Sequence, residues 1–184
     1  VLLRFSPEHL PERLVHPRAP ARRELDGLVQ RVPVPASRRH NLRDFSHARR
    51  VLFRSHNRIK PFIHNTPVLT SNQINKMTGS EIYFKCDNFQ KMGAFKMRGA
   101  TNAILQLSDE NKKNGVVTHS SGNFAQALSL AAKSIGVKAY IVMPSTATEI
   151  KKTAVKGYGG ELIECEPNLD AREKAANDIA KSTG

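Results

Sequence analysis

The sequence predicts an α/β protein, with three αβα layers built around an open, mostly parallel sheet. Two observations support this prediction. From Ser80 onward, short apolar runs alternate with longer segments in which apolar residues recur at helical spacing. The connections between these segments are short, and such strand-helix alternation is typical of a parallel sheet covered by helices on both faces.

The first two strand-helix pairs enclose the most informative stretches of the chain. Glu81–Cys86 is predicted to be a strand and Phe95–Leu107 a helix. Gly115–His119 and Asn123–Lys133 form the second predicted pair. The apolar faces of the two helices are predicted at Met97, Ala100, Ile104 and Leu105, and at Phe124, Ala127, Leu128 and Ala131.

The remaining elements continue the alternation. Val137–Met143 is predicted to be a third strand that Pro144 ends. Thr146 and Glu149 have the spacing of a capping box, so a third helix is predicted to begin there. That helix should end at Lys156, before the glycines at 157–160. The last strand and helix are predicted over Glu161–Cys165 and Leu169–Ser182.

Composition divides the 184-residue chain in two. The first 59 residues contain 13 arginines and no lysine, whereas residues 60–184 contain 14 lysines and two arginines. Arginine-rich, lysine-free sequence is what GC-rich DNA encodes when it is read in an unselected frame. Residues 1–57 are therefore interpreted as a non-native or disordered segment, and residues 58–184 as the folded part.

The alternative hypothesis for the first segment is nucleic-acid binding without catalysis. The net charge is +13, and clustered arginines can release counterions from phosphates. Few aromatic residues accompany them for base stacking, and no nucleic-acid-binding fold is recognisable, so nucleic acid is not expected as a partner. The arginine pairs concerned are Arg22–Arg23, Arg38–Arg39 and Arg49–Arg50.

The stretch KMGAFKMRGAT at 91–101 places Lys96 directly after Phe95, at the start of a predicted helix. The simpler interpretation is a solvated lysine in a first helical turn. The functional one is an amine that holds an aldehyde cofactor.

The stretch THSSGNFAQ at 118–126 lies between a predicted strand and helix. Its backbone N–H groups and the partial positive charge of a helix N-terminus favour an anion such as a carboxylate. Plain helix capping by serine or asparagine is the alternative. Because both stretches follow a strand, they are predicted to face one crevice at the carboxyl edge of the sheet. A lysine and an anion-binding turn there would suit a Schiff-base site for amino acids.

Together these motifs resemble the fold-type II pyridoxal-phosphate enzymes, which have the tryptophan synthase β-subunit-like fold. Within that family they are most similar to the serine/threonine dehydratases and serine racemases. The motifs are D-x-x-Q-x-x-G-A-F-K-x-R-G-A from Asp87 to Ala100, S-S-G-N at 120–123, H-N-T-P-V at 64–68 and A-Y-I-V-M-P at 139–144. The resemblance covers about residues 58–184. It implies the N-terminal part of such an enzyme, including most of its small domain, without the remaining large domain.

The resemblance also implies roles for individual residues. Lys96 would bind pyridoxal 5'-phosphate covalently and act as the base at the substrate Cα. Ser121 would supply an acid/base group on the opposite face. Asn123 would hydrogen-bond the pyridine 3-oxygen, and Phe95 would pack near the ring. The substrate carboxylate would bind the turn formed by Ser120, Ser121, Gly122, Asn123 and Phe124.

The activity implied is ammonia loss from threonine or serine to give a 2-oxo acid, with serine racemisation as a second activity. A small amino acid would be the substrate and a homodimer the full-length state. The family's phosphate-binding loop and its site for Mg²⁺ or another divalent cation are expected beyond Gly184, so the chain by itself is expected to be inactive. Cysteine synthase and threonine synthase remain possible relatives.

Two departures from the family pattern bear on the substrate. Ala94 occupies a position where the family often has serine, and Phe124 one where many members have histidine. The second change removes a polar group beside the substrate.

The cysteines bear on location. Cys86 and Cys165 are isolated, without CxxC spacing, which is typical of thiols in a reducing compartment. No apolar stretch approaches the ~20 residues that span a bilayer, so no membrane contact and a cytoplasmic protein are expected.

Overall fold

A computed structural model describes residues 42–184, with side chains from residue 51 onward. Residues Leu52–Gly184 form one compact unit; of a second unit, Phe5–Val51, only the helical residues 42–51 are described. In chain order the elements are α1 (Leu42–Ile59), β1 (Val68–Thr70), α2 (Asn72–Thr78), β2 (Tyr83–Lys85), α3 (Lys96–Leu105), α4 (Asp109–Asn114), β3 (Val116–His119), α5 (Asn123–Ile135), β4 (Ala139–Pro144), α6 (Glu149–Gly157), β5 (Glu161–Cys165) and α7 (Leu169–Thr183).

The middle layer is the three-stranded sheet β3-β4-β5, in which both strand pairs are parallel. Thr118 lies opposite Ile141, and Ile141 opposite Leu162. Each of these strands was predicted from an apolar run between two helical segments. The prediction of a parallel sheet is therefore confirmed for this part of the chain.

Helices cover both faces of this sheet. On one face α3, α5 and α6 enclose a core that includes Met97, Leu128, Ile141 and Val155, all fully buried. On the other face α7 packs Ala176 against Val117 and Val142. The three-layer αβα arrangement predicted from the sequence is confirmed.

The strand before Lys96 differs from the prediction. β2 pairs antiparallel with β1 in a separate two-stranded sheet, and all six residues of the two strands are exposed. The expectation that both motifs follow strands of one parallel sheet was wrong. An apolar run predicts a strand but does not predict which strand pairs with it. Here β2 pairs with β1, which lies close to it in the sequence, on the other side of the short helix α2.

The beginning of α6 also differs. Its N-cap is Thr148, and the predicted capping box of Thr146 with Glu149 does not form. The amide of Ala147 donates to the carbonyl of Pro144 at 2.8 Å, so Thr146 lies in a tight turn after β4. The capping box predicted from the spacing of Thr146 and Glu149 is therefore replaced by a turn directly after β4.

The N-terminal helix α1 crosses the predicted boundary at 57–58. Its last turn joins the folded unit: Ile59 is buried, and Arg58 Nη1 donates to Asn102 Oδ1 at 2.7 Å. The arginine pairs at 22–23 and 38–39 lie outside the described residues, and the side chains of the pair at 49–50 are not described. The interpretation of residues 1–57 therefore stays a prediction. Within the described residues, none of the helices has both the length and the apolar character needed to cross a bilayer.

Candidate active site

Lys96 is the first residue of α3. Its side chain is exposed, and Nζ lies 4.8 Å from the centroid of the Phe95 ring. The neighbours Ala94 and Met97 are both buried in the protein. The backbone around Lys96 is thus anchored to the core while the amine remains accessible to a ligand.

The turn that leads to Lys96 has an unusual backbone. Met92 has φ +55° and Gly93 has φ +75°, so two consecutive residues adopt the left-handed conformation. For a residue other than glycine this costs about 1 kcal/mol. The side chain of Met92 packs against the core that α3, α5 and α6 enclose, here called the main core cluster, and this contact offsets that cost. The turn closes with a hydrogen bond of 2.8 Å from the Gly93 amide to the Gln90 carbonyl.

An ion pair connects the first turn of α3 to the segment after β2. Arg98 donates from Nη2 to Asp87 Oδ1 at 2.8 Å and from Nε to Oδ2 at 3.0 Å. Thr66, which is buried, donates to Asp87 Oδ1 at 2.6 Å and accepts from Arg98 Nη2 at 3.1 Å. The three side chains, called here the Asp87–Arg98–Thr66 cluster, form a closed hydrogen-bonded triangle.

The electrostatics of this cluster follow from its geometry. The hydrogen-bonded Arg98 guanidinium is the main cause that lowers the pKa of Asp87 from 3.8 to about 2, although partial burial opposes the shift. The hydroxyl of Thr66 adds to the lowering. The same contact raises the pKa of Arg98 above its ordinary value. Asp87 and Arg98 are therefore both charged across the physiological range.

A second polar contact holds the segment that contains the H-N-T-P-V motif. The side-chain amide of Gln90, which is buried, accepts from the His64 amide at 2.8 Å and donates to the His64 carbonyl at 2.9 Å. Lys85 Nζ donates to the Thr66 carbonyl at 2.6 Å. Asp87, Gln90 and Arg98 are positions of the motif for which the sequence predicted no individual role. Only their spacing in the motif pointed to a role. Their hydrogen-bond partners Thr66 and His64 lie more than twenty residues away in the sequence, so no local pattern predicts these contacts.

The S-S-G-N turn leaves the carboxyl end of β3. The amide of Ser120 donates to the Val142 carbonyl at 3.1 Å, and Gly122 is the N-cap of α5. Ser120 Oγ accepts from the Gly122 amide at 3.4 Å. Among the described contacts, no hydrogen bond joins the Ser121 hydroxyl to the first turn of α5. The capping interpretation of Ser121 is therefore not supported by the geometry.

Open space lies over this turn. A Cβ atom added to Gly122 would meet no heavy atom within 4 Å. Gly122 and Asn123 are exposed, whereas Ser120, Ser121 and Phe124 are half-buried. A ligand can therefore approach the turn and the helix N-terminus closely.

Helix packing relates the two motifs. α3 packs along α5, and the turn at 91–93 also contacts α5. Met97, which follows Lys96, and Ala125, in the first turn of α5, belong to the same buried cluster. The structure thus joins the helix that begins with Lys96 to the helix that begins after the S-S-G-N turn. The individual roles of Lys96, Ser121 and Asn123 stay predictions.

Comparison with known proteins identifies the family. A family model described as pyridoxal-phosphate dependent enzyme matches residues 59–184, more than half of the chain. The chain belongs to this family. The fold-type II resemblance drawn from the motifs is confirmed, because relatives of the serine racemase and threonine deaminase type match the same region.

Two curated relatives show the degree of similarity. The serine racemase of Schizosaccharomyces pombe is 54% identical over 127 residues, which cover 69% of this chain and 39% of that protein. The beta-hydroxyaspartate dehydratase of Paracoccus denitrificans is 49% identical over 130 residues, 71% of this chain and 41% of that protein. This pyridoxal-phosphate-dependent enzyme chain thus spans about two fifths of the length of these relatives.

Solved structures agree with the fold. The serine racemase of Dictyostelium discoideum has a TM-score of 0.71 at 48% identity, with 73% of this chain and 44% of that chain covered. The processed form of threonine deaminase isoform 2 from Solanum lycopersicum has a TM-score of 0.65 at 30% identity, with 73% and 41% covered. The tryptophan synthase β-subunit-like prediction for the fold is supported by these enzymes.

The residues present fit the cofactor that the family uses. Pyridoxal phosphate needs an accessible amine and room for its ring and for the substrate; Lys96 is exposed, and a Cβ atom on Gly122 would meet open space. Asn123 adds an exposed amide next to the helix N-terminus. No group of three or more His, Cys, Asp or Glu side chains that could hold a metal ion occurs in the described part of the chain.

Proposed function

We propose that the protein is a pyridoxal-phosphate-dependent ammonia-lyase of threonine or serine that also racemises serine. The observation that carries this proposal is the exposed Lys96 amine on a helix packed against the helix that follows the S-S-G-N turn. The relatives that match support the substrate class, since they are described as serine racemases, a beta-hydroxyaspartate dehydratase and threonine deaminases. All three descriptions concern small amino acids.

Lys96 has two tasks in this proposal. Its Nζ would hold the cofactor through the aldehyde, and the free amine would take the proton from the substrate Cα. The burial of Ala94 and Met97 in the core anchors the backbone on both sides of Lys96. Phe95 would pack near the cofactor ring, and Asn123 would donate a hydrogen bond to the pyridine 3-oxygen.

The S-S-G-N turn binds the substrate carboxylate in this proposal. Backbone N–H groups at a helix N-terminus are suited to an anion, and the positive end of the α5 dipole adds to the attraction. The residues concerned are Ser120, Ser121, Gly122, Asn123 and Phe124. Fixing the carboxylate there orients the Cα–H bond toward Lys96.

Elimination and racemisation differ in the groups that they require. When bound, pyridoxal phosphate supplies an electron sink that makes the Cα–H bond acidic. Elimination removes the Cα proton and the β-hydroxyl together as water, so it would need a base on one face only, which would be Lys96. Racemisation also needs a proton donor on the opposite face, and Ser121 supplies it.

Further properties of the whole protein belong to the same proposal. We place the enzyme in the cytoplasm as a homodimer that binds Mg²⁺ or another divalent cation. The thiols support a reducing compartment: Cys86 and Cys165 are free and half-buried, and partial burial raises the pKa of Cys165.

Covalent trapping tests the proposal. The full natural protein is incubated with pyridoxal phosphate, reduced with borohydride and digested, and the modified lysine is identified by mass spectrometry. The expected result is modification of Lys96. Label confined to other lysines, or a protein without the visible absorbance of bound pyridoxal phosphate, would refute the proposal. DNA binding with a steep salt dependence in such a protein would favour the nucleic-acid alternative.

A further inference from the structure

No side chain caps the start of α3. Its N-cap is Phe95, which already has helical backbone angles and offers no side-chain hydrogen bond. The Met97 and Arg98 amides donate to the carbonyls of Ala94 and Phe95 at 3.3 and 3.1 Å and close the first turn, but a helix N-terminus without a capping side chain frays more readily. Lys96 is the first residue of this helix, so its amine depends on tertiary contacts for a defined position.

Burial of Met97 supplies one such contact. Its side chain is fully buried in the main core cluster. Apolar contacts of this kind are strong but not directional, because they depend on the area removed from water. Together with Ala100, Thr101 and Ile104, Met97 fixes which face of α3 meets the core, but this burial gives the exposed Lys96 side chain no directional contact.

The Asp87–Arg98–Thr66 cluster supplies the directional contact. Arg98 lies two residues after Lys96 and presents a planar guanidinium to both oxygens of Asp87. Thr66 bonds to both partners, so the carboxylate cannot rotate without breaking several hydrogen bonds. About a quarter or less of each charged side chain is accessible, 25% for Arg98 and 20% for Asp87, which limits competition from water.

We propose that Asp87 and Arg98 are positioning residues that hold the Lys96 amine in place for its reaction with the cofactor aldehyde, a role that rests on the proposed function. Without the pair, the first turn of α3 frays and Nζ samples a larger volume. The effective concentration of the amine at the cofactor carbon then falls. Lysine at position 98 cannot replace arginine, because an ammonium lacks the two-pronged geometry.

The test compares labelling of Lys96 with labelling of Lys151, an exposed lysine on α6 in the same chain. The full natural protein and the variants Asp87→Asn, Arg98→Lys and Asp87→Glu are treated briefly with pyridoxal phosphate and borohydride. Thermal melts followed by circular dichroism identify a temperature at which every variant is folded, and labelling is done at that temperature. The ratio of label on Lys96 to label on Lys151 is then measured by mass spectrometry.

Glu164→Gln is the matched control. It removes another ion pair, in which Lys152 Nζ lies 2.6 Å from Glu164 Oε2, and which joins α6 to β5. Its loss of stability is expected to resemble that of Arg98→Lys without any effect on the label ratio. Asp87→Glu, which keeps the charge, should recover part of the ratio that Asp87→Asn loses.

A fall of about tenfold in the ratio for Asp87→Asn and Arg98→Lys, with Glu164→Gln unchanged, is the expected result. An unchanged ratio in either folded variant would overturn the positioning role, and so would an equal fall in Glu164→Gln. If Arg98→Lys and Asp87→Asn are unfolded at every temperature, Thr66→Val, which removes a hydrogen bond from each member of the pair, takes their place, and an unchanged ratio in that folded variant would refute the role. A wild-type protein that does not label Lys96 preferentially would instead refute the proposed function.

Discussion

Arg98 donates to both carboxylate oxygens of Asp87, with N···O distances of 2.8 and 3.0 Å. The two residues lie on different segments: Asp87 follows β2, and Arg98 is in the first turn of α3. The ion pair therefore connects these two segments. It also lies next to the candidate site, because Lys96 is two residues before Arg98. Changes in this pair should therefore affect both stability and the site.

The Asp87–Arg98 pair predicts a loss of stability in acid. The pKa of Asp87 is lowered from 3.8 to about 2 in the folded protein, so its contribution is complete above about pH 4 and is lost as the pH falls toward 2. The shift corresponds to at most about 2 kcal/mol, because solvent screens part of the interaction. Urea denaturation of wild type and Asp87→Asn across this range measures it. Asp87→Asn should show a flatter pH dependence, whereas Asp109→Asn, at an exposed pair, should follow wild type. Equal pH dependence in wild type and Asp87→Asn would contradict this prediction.

Replacement of the candidate catalytic lysine should remove activity without unfolding the protein. In Lys96→Ala we expect ammonia release from threonine and serine to disappear, because no other group is proposed to take the Cα proton. The melting temperature should remain close to that of wild type, since the side chain is exposed. Lys151→Ala, at another exposed lysine, is the control and should retain full turnover. Normal turnover in Lys96→Ala would show that another residue is the base.

The two serines of the turn should behave differently. Ser121→Ala should lower racemisation of serine roughly 10²-fold or more relative to elimination, because only racemisation needs its proton. Its melting temperature should be unchanged, since the hydroxyl makes no hydrogen bond to the first turn of α5 among the described contacts. Ser120→Ala removes the acceptor of the Gly122 amide and should cost about 0.5 kcal/mol instead. Both activities and thermal melts are measured on each variant. A constant racemase-to-lyase ratio in Ser121→Ala would exclude its acid/base role.

Alanine substitutions at Gly122 and Gly160 add the same methyl group, at Gly122 into open space and at Gly160 into a packed region. In Gly122→Ala the new methyl group meets open space, so stability should not change, but the methyl would occupy the approach to the turn and raise KM for the amino acid. In Gly160→Ala it would collide with Ser129 Oγ and lie 2.9 Å from Val155 Cγ1. Overpacking of this kind typically costs about 1–3 kcal/mol. Steady-state kinetics and thermal melts separate the two effects. An unchanged KM in Gly122→Ala would argue against carboxylate binding at this turn.

Much of the fold was predictable because the sheet elements carry strong local patterns. The apolar runs at 116–119, 139–144 and 161–165 and the buried face of α5 at Ala127, Leu128 and Ala131 were visible in the sequence. The short elements β1, α2 and α4 were not predicted. Three to seven residues give too little periodicity to distinguish a strand or helix from a loop.

By itself the sequence determined the parallel αβα architecture, the family and the position of Lys96, because apolar periodicity and the motif residues are properties of neighbouring positions. Tertiary structure alone decided what surrounds Lys96. The contacts of Asp87 with Thr66 and of Gln90 with His64 join residues 21 and 26 positions apart in the chain, and the antiparallel pairing of β2 with β1 is likewise a tertiary contact. A hydrogen bond between distant residues depends on where the backbone brings them. For the same reason the role of Arg98 could be inferred only once its guanidinium was placed against Asp87.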